Sequence, residues 1–374
     1  AMISNNLVKI AESTLDVYRE TLDRIKSNVM LCGYFGAGNT GDEMALKIVS
    51  EKIKNAAPAA ELSVITRNKK LTPHGLCGIG RTDFKAIGRA LSKSRVLVLC
   101  GGSLIQNFTS TRSLLYYSKI CHKARKAGCR VMIWGGGIGP LSGFDGEELA
   151  RNLLSLLSAA GLRDVHSLDE ARRLGCKNSY LSADSVAAAD TDIVAFPDTG
   201  VFTVCPRELK KSADRDRLFT VLSSVIPKIC REKQLRVRFV PLAPEDSEIC
   251  QKLADVCHGD AFNPDTPENT AKLIAESSFC LAVRLHAAVL AFSANVPFAA
   301  ISYDPKVRAF AEELSAPCIE LKELTESALL SAVELLSIDK CDETLKSELK
   351  IRSEKDTEAF RIIYDYNNLK DIEK

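Results

Sequence analysis

The fold turns on one stretch, SFCLAVRLHAAVLAFSANVPFAAISYDPKV (Ser278–Val307). SFCLAV is a short apolar run of strand length, and Arg284, Leu285 and His286 follow it at once. The run PFAAISY repeats the pattern, with Asp304, Pro305 and Lys306 standing where it ends. Pro305 suits the first turn of a helix, where a missing N–H costs nothing. Apolar strands separated by helices are the mark of a parallel sheet covered on both faces. A right-handed βαβ crossover delivers both strand ends to one rim, so Arg284, His286 and Lys306 are expected side by side. A guanidinium grips a carboxylate or phosphate at two points, an ammonium adds a point charge, and helix N-termini add free N–H groups. The rim reads as a cradle for a small anion.

The same alternation runs outward through the chain. VMLCGYF, ELSVITR, SRVLVLCGG, CRVMIWGGG and a run ending at GLRDV read as strands of a first sheet. GVFTVCPR, LRVRFVPLA, AFNP and CIELKEL join the opening pair in a second. Helices are expected over residues 42–54, 112–127, 213–232 and 246–257, and from Thr266 onward. The fold class is therefore α/β, with two Rossmann-like domains facing a central cleft, where ligands sit beyond the carboxyl ends of the strands. The expected divisions are an N-terminal amphipathic helix over 1–27, an N-terminal domain over 28–195, a C-terminal domain over 196–341, and a C-terminal helix over 342–374 packing back. In the first of these, Leu7, Ile10, Ala11, Tyr18, Leu22 and Ile25 recur at helical spacing.

Composition narrows the function. A chain of 374 residues exceeds one ordinary core. Its net charge of +2 offers no basic tract, so nucleic acid is not an expected partner. No run approaches the ~20 apolar residues of a membrane span, and no secretion signal is evident. Thirteen cysteines lie scattered without C-x-x-C spacing, which speaks against a metal site or disulfide framework and for small buried residues in a reducing, cytoplasmic setting.

A second constellation, GYFGAGNTGDE (Gly33–Glu43), opens the first domain. Its glycines allow close backbone approach, but the acidic pair at the helix start disfavours a dinucleotide pyrophosphate. Asp42 and Glu43 equally suit simple capping of that helix. The sharper reading has Asn39 and Asp42 bonding sugar hydroxyls, with Gly38 and Gly41 giving access and Asp42 or Glu43 acting as general base. GGSLIQ contributes Ser103 and Gln106 to the same side. Arg163 and Asp164 close another strand, as an ion pair or as part of the site, and LSADSV carries Asp184.

Taken in order, GYFGAGNTGDE, GGSLIQ, WGGGIGP, GLRDV, ADS, VRLHA and ISYDPKV resemble the polysaccharide pyruvyl transferases, most of all the CsaB type that acts on bacterial secondary cell-wall polymers, the anchors of S-layers. The resemblance spans roughly residues 28 to 310. It implies a GT-B-like fold, phosphoenolpyruvate as donor substrate with no cofactor or metal, and a ketal formed on a sugar. It also implies an undecaprenyl-diphosphate-linked disaccharide as acceptor and peripheral contact with the inner face of the cell membrane. Carried over by position, Arg284, Leu285, Lys306 and Arg163 are the phosphoenolpyruvate-binding set. His286 is the catalytic acid, Asp42 or Glu43 the base, and Asn39, Gly38, Gly41, Ser103 and Gln106 the acceptor side. TVCPR and PLAPEDSE depart from the family pattern, the first lacking its Leu-Arg-Pro run and the second its histidine. Two rivals remain: a nucleotide-sugar-dependent glycosyltransferase of GT-B build, with Glu312 or Glu313 on the ribose, and a non-catalytic glycan-binding protein.

Overall fold

The computed structural model describes residues 26–108, 110–189, 199–336 and 343–369, with residues 366–369 by backbone only. The first sheet is parallel throughout, in the order β3-β2-β1-β4-β5-β6-β7. Its strands are β1 (Asn28–Phe35), β2 (Leu62–Thr66), β3 (Cys77–Gly80), β4 (Ser94–Cys100), β5 (Arg130–Gly136), β6 (Ala159–Leu162) and β7 (Ser179–Leu181). The second sheet, also parallel, has the order β10-β9-β8-β11-β12-β13. Its strands are β8 (Val201–Cys205), β9 (Arg236–Phe239), β10 (Asp260–Ala261), β11 (Phe279–Ala282), β12 (Phe298–Ser302) and β13 (Cys318–Glu320).

Apolar runs make these sheets because both faces are covered. Met30, Cys32, Leu97, Leu99, Val131 and Ile133 enter the core on one face of the first sheet. Their neighbours Val29, Leu31, Val96, Val98, Met132 and Trp134 enter the core on the other, as the two-residue period of a strand requires. The second sheet divides likewise, with Phe202, Val204, Leu281 and Val283 on one side and Cys205, Cys280 and Ala282 on the other. In both sheets the strand order reverses beside the first strand, between β1 and β4 and between β8 and β11. Such switch points open the crevice in which α/β proteins bind ligands.

The two expected strand-to-helix junctions stand as read. β11 ends at Ala282 and a helix runs Leu285–Ser293 with Arg284 at its N-cap; β12 ends at Ser302 and a helix runs Pro305–Glu313 with Asp304 at its N-cap. AFNP is a correction: only Asp260–Ala261 pairs, and the remainder is loop. β3 and β7 were not expected, being short and poor in fully buried apolar residues. The helix expected over 1–27 falls almost wholly outside the described residues, as does the expected division at 195/196.

The C-terminal helix, Glu343–Leu369, ties the halves together. Leu349 near its start joins the core of the second half, and Lys346 Nζ donates to the Ser293 carbonyl at 3.0 Å. Further on, Phe360 is fully buried against Trp134 of β5, ring centroids 6.0 Å apart, and Arg130 donates to the Ile363 carbonyl at 2.8 Å. Other bonds cross between the halves: Thr40 N–H to the Leu242 carbonyl at 2.8 Å, and Lys47 to Glu268 at 2.6 Å. Among the described residues, no helix is long and apolar enough to cross a membrane. Phe360→Ala removes a buried ring from a packed seam and is expected to cost about 3–5 kcal/mol. Urea unfolding checks it; a loss below about 1 kcal/mol would mean the helix is held elsewhere.

Candidate active site

The strand ends converge on a cavity of about 70 Å³ between the halves. From the second half it receives Arg207 after β8, Arg284 and His286 after β11, and Tyr303 and Lys306 after β12. From the first it receives Asn39 and Asp42 after β1, Gly102 after β4 and Arg163 after β6. Arg284, Lys306 and His286 thus share one lip, as the crossover geometry required. The helix Leu285–Ser293 has no side-chain cap at its N-terminus; its Ala287 N–H turns back to the Arg284 carbonyl at 3.0 Å.

Three of the four cations are held by carboxylates. Arg284 is buried; Nη2 donates to Asp246 Oδ1 and Glu245 Oε1, each at 2.9 Å, and Nε meets Asp246 Oδ2. Arg163 is also buried, with Nη1 at 3.3 Å from Asp184 Oδ2 and Nε at 3.5 Å from Asp164. Lys306 Nζ lies 3.3 Å from Asp304, whose other oxygen accepts the Lys306 N–H. Arg207 differs. It makes no ion pair among the described residues; its guanidinium lies over the Tyr303 ring, 4.2 Å from the centroid, and bonds the phenol. Burial, and next the nearby Arg284, pull its pKa down to about 10. Burial lowers Lys306 too, with Arg163 and Arg207 adding to the effect against Asp304. Neighbouring cations thus disfavour the charge of both, while Asp304 supports both and Asp246 and Glu245 support Arg207.

His286 is neutral here. Burial, opposed by Asp184 and reinforced by Arg163 and Lys306, lowers its pKa to about 4. Nε2 faces Asp184 Oδ2 at 3.7 Å, beyond hydrogen-bond reach, so the carboxylate acts on the imidazole through its charge. Asp42 is displaced the other way: burial raises its pKa to about 7, with Lys306 opposing. Gly102, at φ +56, passes so close that a Cβ there would lie 3.0 Å from Asp42 Oδ1.

The remaining expected site residues divide by task. Leu285 is an apolar wall of the cavity. Asn39 lines it and caps its helix, accepting the Gly41 N–H at 3.2 Å. Glu43, expected as an alternative base, is turned away from the cavity. Its Oε1 accepts the N–H groups of Gly36, Ala37 and Gly38 at 2.7, 3.2 and 3.3 Å, holding the glycine loop in shape. Gly41 makes room for the imidazole: a Cβ there would stand 1.9 Å from His286 Nδ1. Ser103 accepts from Arg163 Nη2 at 3.2 Å, so it positions the guanidinium. Gly38 and Gln106 do not line the cavity; Gly38 opens onto a separate groove of about 760 Å³ beside the helix Thr40–Ala56, with Glu43, Lys47 and His74. Sequence reasoning missed Arg207 and Tyr303. The signal for Arg207 was its place at the end of β8, the strand paired with β11 at the switch point.

The family model of the polysaccharide pyruvyl transferases matches residues 39–305. The chain belongs to that family. The matched span begins at Asn39 and ends one residue short of Lys306, so it takes in nearly the whole cavity lining of this polysaccharide pyruvyl transferase family member. A comparison with curated proteins gave no match. Among solved structures, the chain is similar to the UDP-GlcNAc 2-epimerase from Methanocaldococcus jannaschii, at 14% identity over 84% of this chain and 93% of that one, with a TM-score of 0.57. It is also similar to S. aureus MnaA in a co-structure with UDP, at 12% identity over 92% and 97%, with a TM-score of 0.55. The likeness establishes the two-domain GT-B architecture.

Gly41→Ala is expected to push the imidazole aside and cost about 1–3 kcal/mol. Gly88→Ala, in a helix with open space around the added methyl, is expected to be neutral or stabilising by up to about 1 kcal/mol. Thermal melts of the two variants check the contrast.

Proposed function

We propose that this protein transfers pyruvate from phosphoenolpyruvate to a pair of hydroxyls on one sugar of a cell-wall glycan precursor, forming a ketal and releasing phosphate. The observation that carries this reading is the cation cluster of Arg163, Arg207, Arg284 and Lys306 around a small cavity, in which Arg207 makes no ion pair among the described residues. A compact donor with both a carboxylate and a phosphate matches such a cluster better than a nucleotide sugar does. Glu312 and Glu313, the ribose-binding candidates of the rival reading, are occupied by Arg308 and Arg352 at 2.7 and 2.6 Å.

The acid and base follow from the two displaced pKa values. With its pKa lowered by burial, His286 is by itself a poor acid, because it holds no proton at neutral pH. One anionic charge at about 4 Å contributes about 4 kcal/mol at an effective dielectric of about 20, or roughly three pK units. The donor's own charge is thus enough to load the imidazole with a proton. His286 then gives that proton to the donor's methylene carbon, and C2 becomes an oxocarbenium-like electrophile. Asp42 takes the proton of the first sugar hydroxyl as its oxygen bonds to C2. The C2–O bond to phosphate breaks, and the departing phosphate keeps the electron pair and takes the proton held by Asp42. The second hydroxyl bonds to C2 and returns its proton to His286, which closes the cycle. Arg163, Arg207, Arg284 and Lys306 hold the carboxylate and the leaving phosphate. The acceptor enters on the Asn39–Asp42–Gly102 side. A polyprenyl-diphosphate carrier for that acceptor, a CsaB-type cell-wall role in S-layer anchoring and a cytoplasmic setting at the inner membrane face belong to the same proposal and rest on the family.

Phosphoenolpyruvate is expected to raise the melting temperature where UDP-GlcNAc does not; the reverse pattern would favour the glycosyltransferase. His286→Ala should abolish ketal formation, followed by phosphate release and product mass, while leaving the fold intact. The acting pair, protonated His286 and ionised Asp42, carries one proton between them, and in the free enzyme Asp42 holds it until its own pKa is passed. kcat/KM, which follows the free enzyme, is therefore expected to fall as pH rises through about 7, and Asp42→Asn should remove that limb of the profile.

A further inference from the structure

We propose that Asp356, on the C-terminal helix, is a positioning residue for the cavity: through Ser182 it fixes Asp184, and through Asp184 the imidazole of His286 and the guanidinium of Arg163. Asp356 is fully buried, and a carboxylate deep in a core costs several kcal/mol unless its lone pairs are satisfied. Here they are. Oδ1 accepts the Tyr180 phenol at 2.8 Å and Oδ2 accepts the Ser182 hydroxyl; burial still raises its pKa to about 7, against which these two bonds and the nearby Gly135 act. The pocket for it is made by Gly161, where a Cβ would fall 1.7 Å from Oδ1. The carboxylate therefore gathers the ends of β5, β6 and β7 at one point. Lys52, from the helix Thr40–Ala56, is the cation facing it.

From there the chain has no slack before it reaches the cavity. The Ser182 N–H bonds the Leu162 carbonyl at 2.7 Å, extending the pairing with β6. The Ala183 carbonyl presses on Gly135, where a Cβ would stand 2.5 Å away. Asp184 follows; its Oδ1 is committed to the Val186 N–H at 3.0 Å, which leaves Oδ2 facing Arg163 and His286. A well-packed apolar residue at 356 would serve the seam beside Phe360 at least as well. The two hydroxyls that converge on it give the carboxylate a different purpose: setting the last two residues before Asp184.

Asp356→Asn keeps the shape but turns one acceptor into a donor, so either Ser182 or Tyr180 loses its partner. Ser182→Ala removes the link alone and answers the question should the first variant not fold. Both are compared with wild type by thermal melting, by the imidazole ¹⁵N shifts of His286, and by steady-state kinetics. The expected result is a folded protein whose His286 imidazole ¹⁵N shifts depart from those of wild type, with kcat lowered about ten- to a hundredfold and KM for phosphoenolpyruvate little changed. Folded variants with the wild-type imidazole spectrum and wild-type kcat would overturn the proposal and leave Asp356 a purely structural group. The kinetic arm rests on the proposed activity and the spectroscopic arm does not. A wild-type protein that fails to turn over phosphoenolpyruvate would therefore count against that activity, while the spectra still decide the role of Asp356.

Discussion

One carboxylate oxygen, Asp184 Oδ2, lies between an arginine of the first sheet and a histidine of the second. Much of the site depends on that sharing. Arg163 and Lys306 both act against protonation of His286, and Asp184 is the group that opposes them. Because the carboxylate reaches across the cleft, the charge state of the imidazole is a property of the assembled pair of domains and of neither alone. The same holds for Gly41, whose bare Cα is the surface on which the imidazole rests.

The cations of the cavity are unevenly paired. Its carboxylates neutralise Arg163, Arg284 and Lys306 where they stand, but Arg207 faces an aromatic ring and another guanidinium. A ring face stabilises a cation by about 1–2 kcal/mol when desolvated, less than a full counter-ion provides. An anion entering the cavity would relieve that repulsion and lift the His286 pKa at once. In the proposed reaction, binding and acid activation are one event.

The rim of the second half was legible because its signal is local: apolar runs of strand length with charged residues where each run stops. Arg284, His286 and Lys306 followed from that alone. Arg207 has the same kind of position, but only the pairing of β8 with β11 makes it face them. Asp42 and Glu43 are adjacent acids at a helix start, about 100° apart around its axis. Which one enters the cavity depends on how the helix is rotated against the sheet. The links from Asp356 to Ser182 and from Asp184 to His286 join residues distant in sequence and leave no trace in spacing. β3 and β7 were missed because edge strands need few apolar residues.

The seam between Phe360 and Trp134 also bears on how the chain is made. The first sheet is complete in sequence long before Phe360 leaves the ribosome, and until then one face of β5 lacks its cover. Domains tend to fold as they emerge, N-terminal first, and exposed apolar surface in the interval invites association. The nascent first half therefore waits with part of Trp134 uncovered until the helix Glu343–Leu369 has been made, an interval in which shielding of that face would limit association.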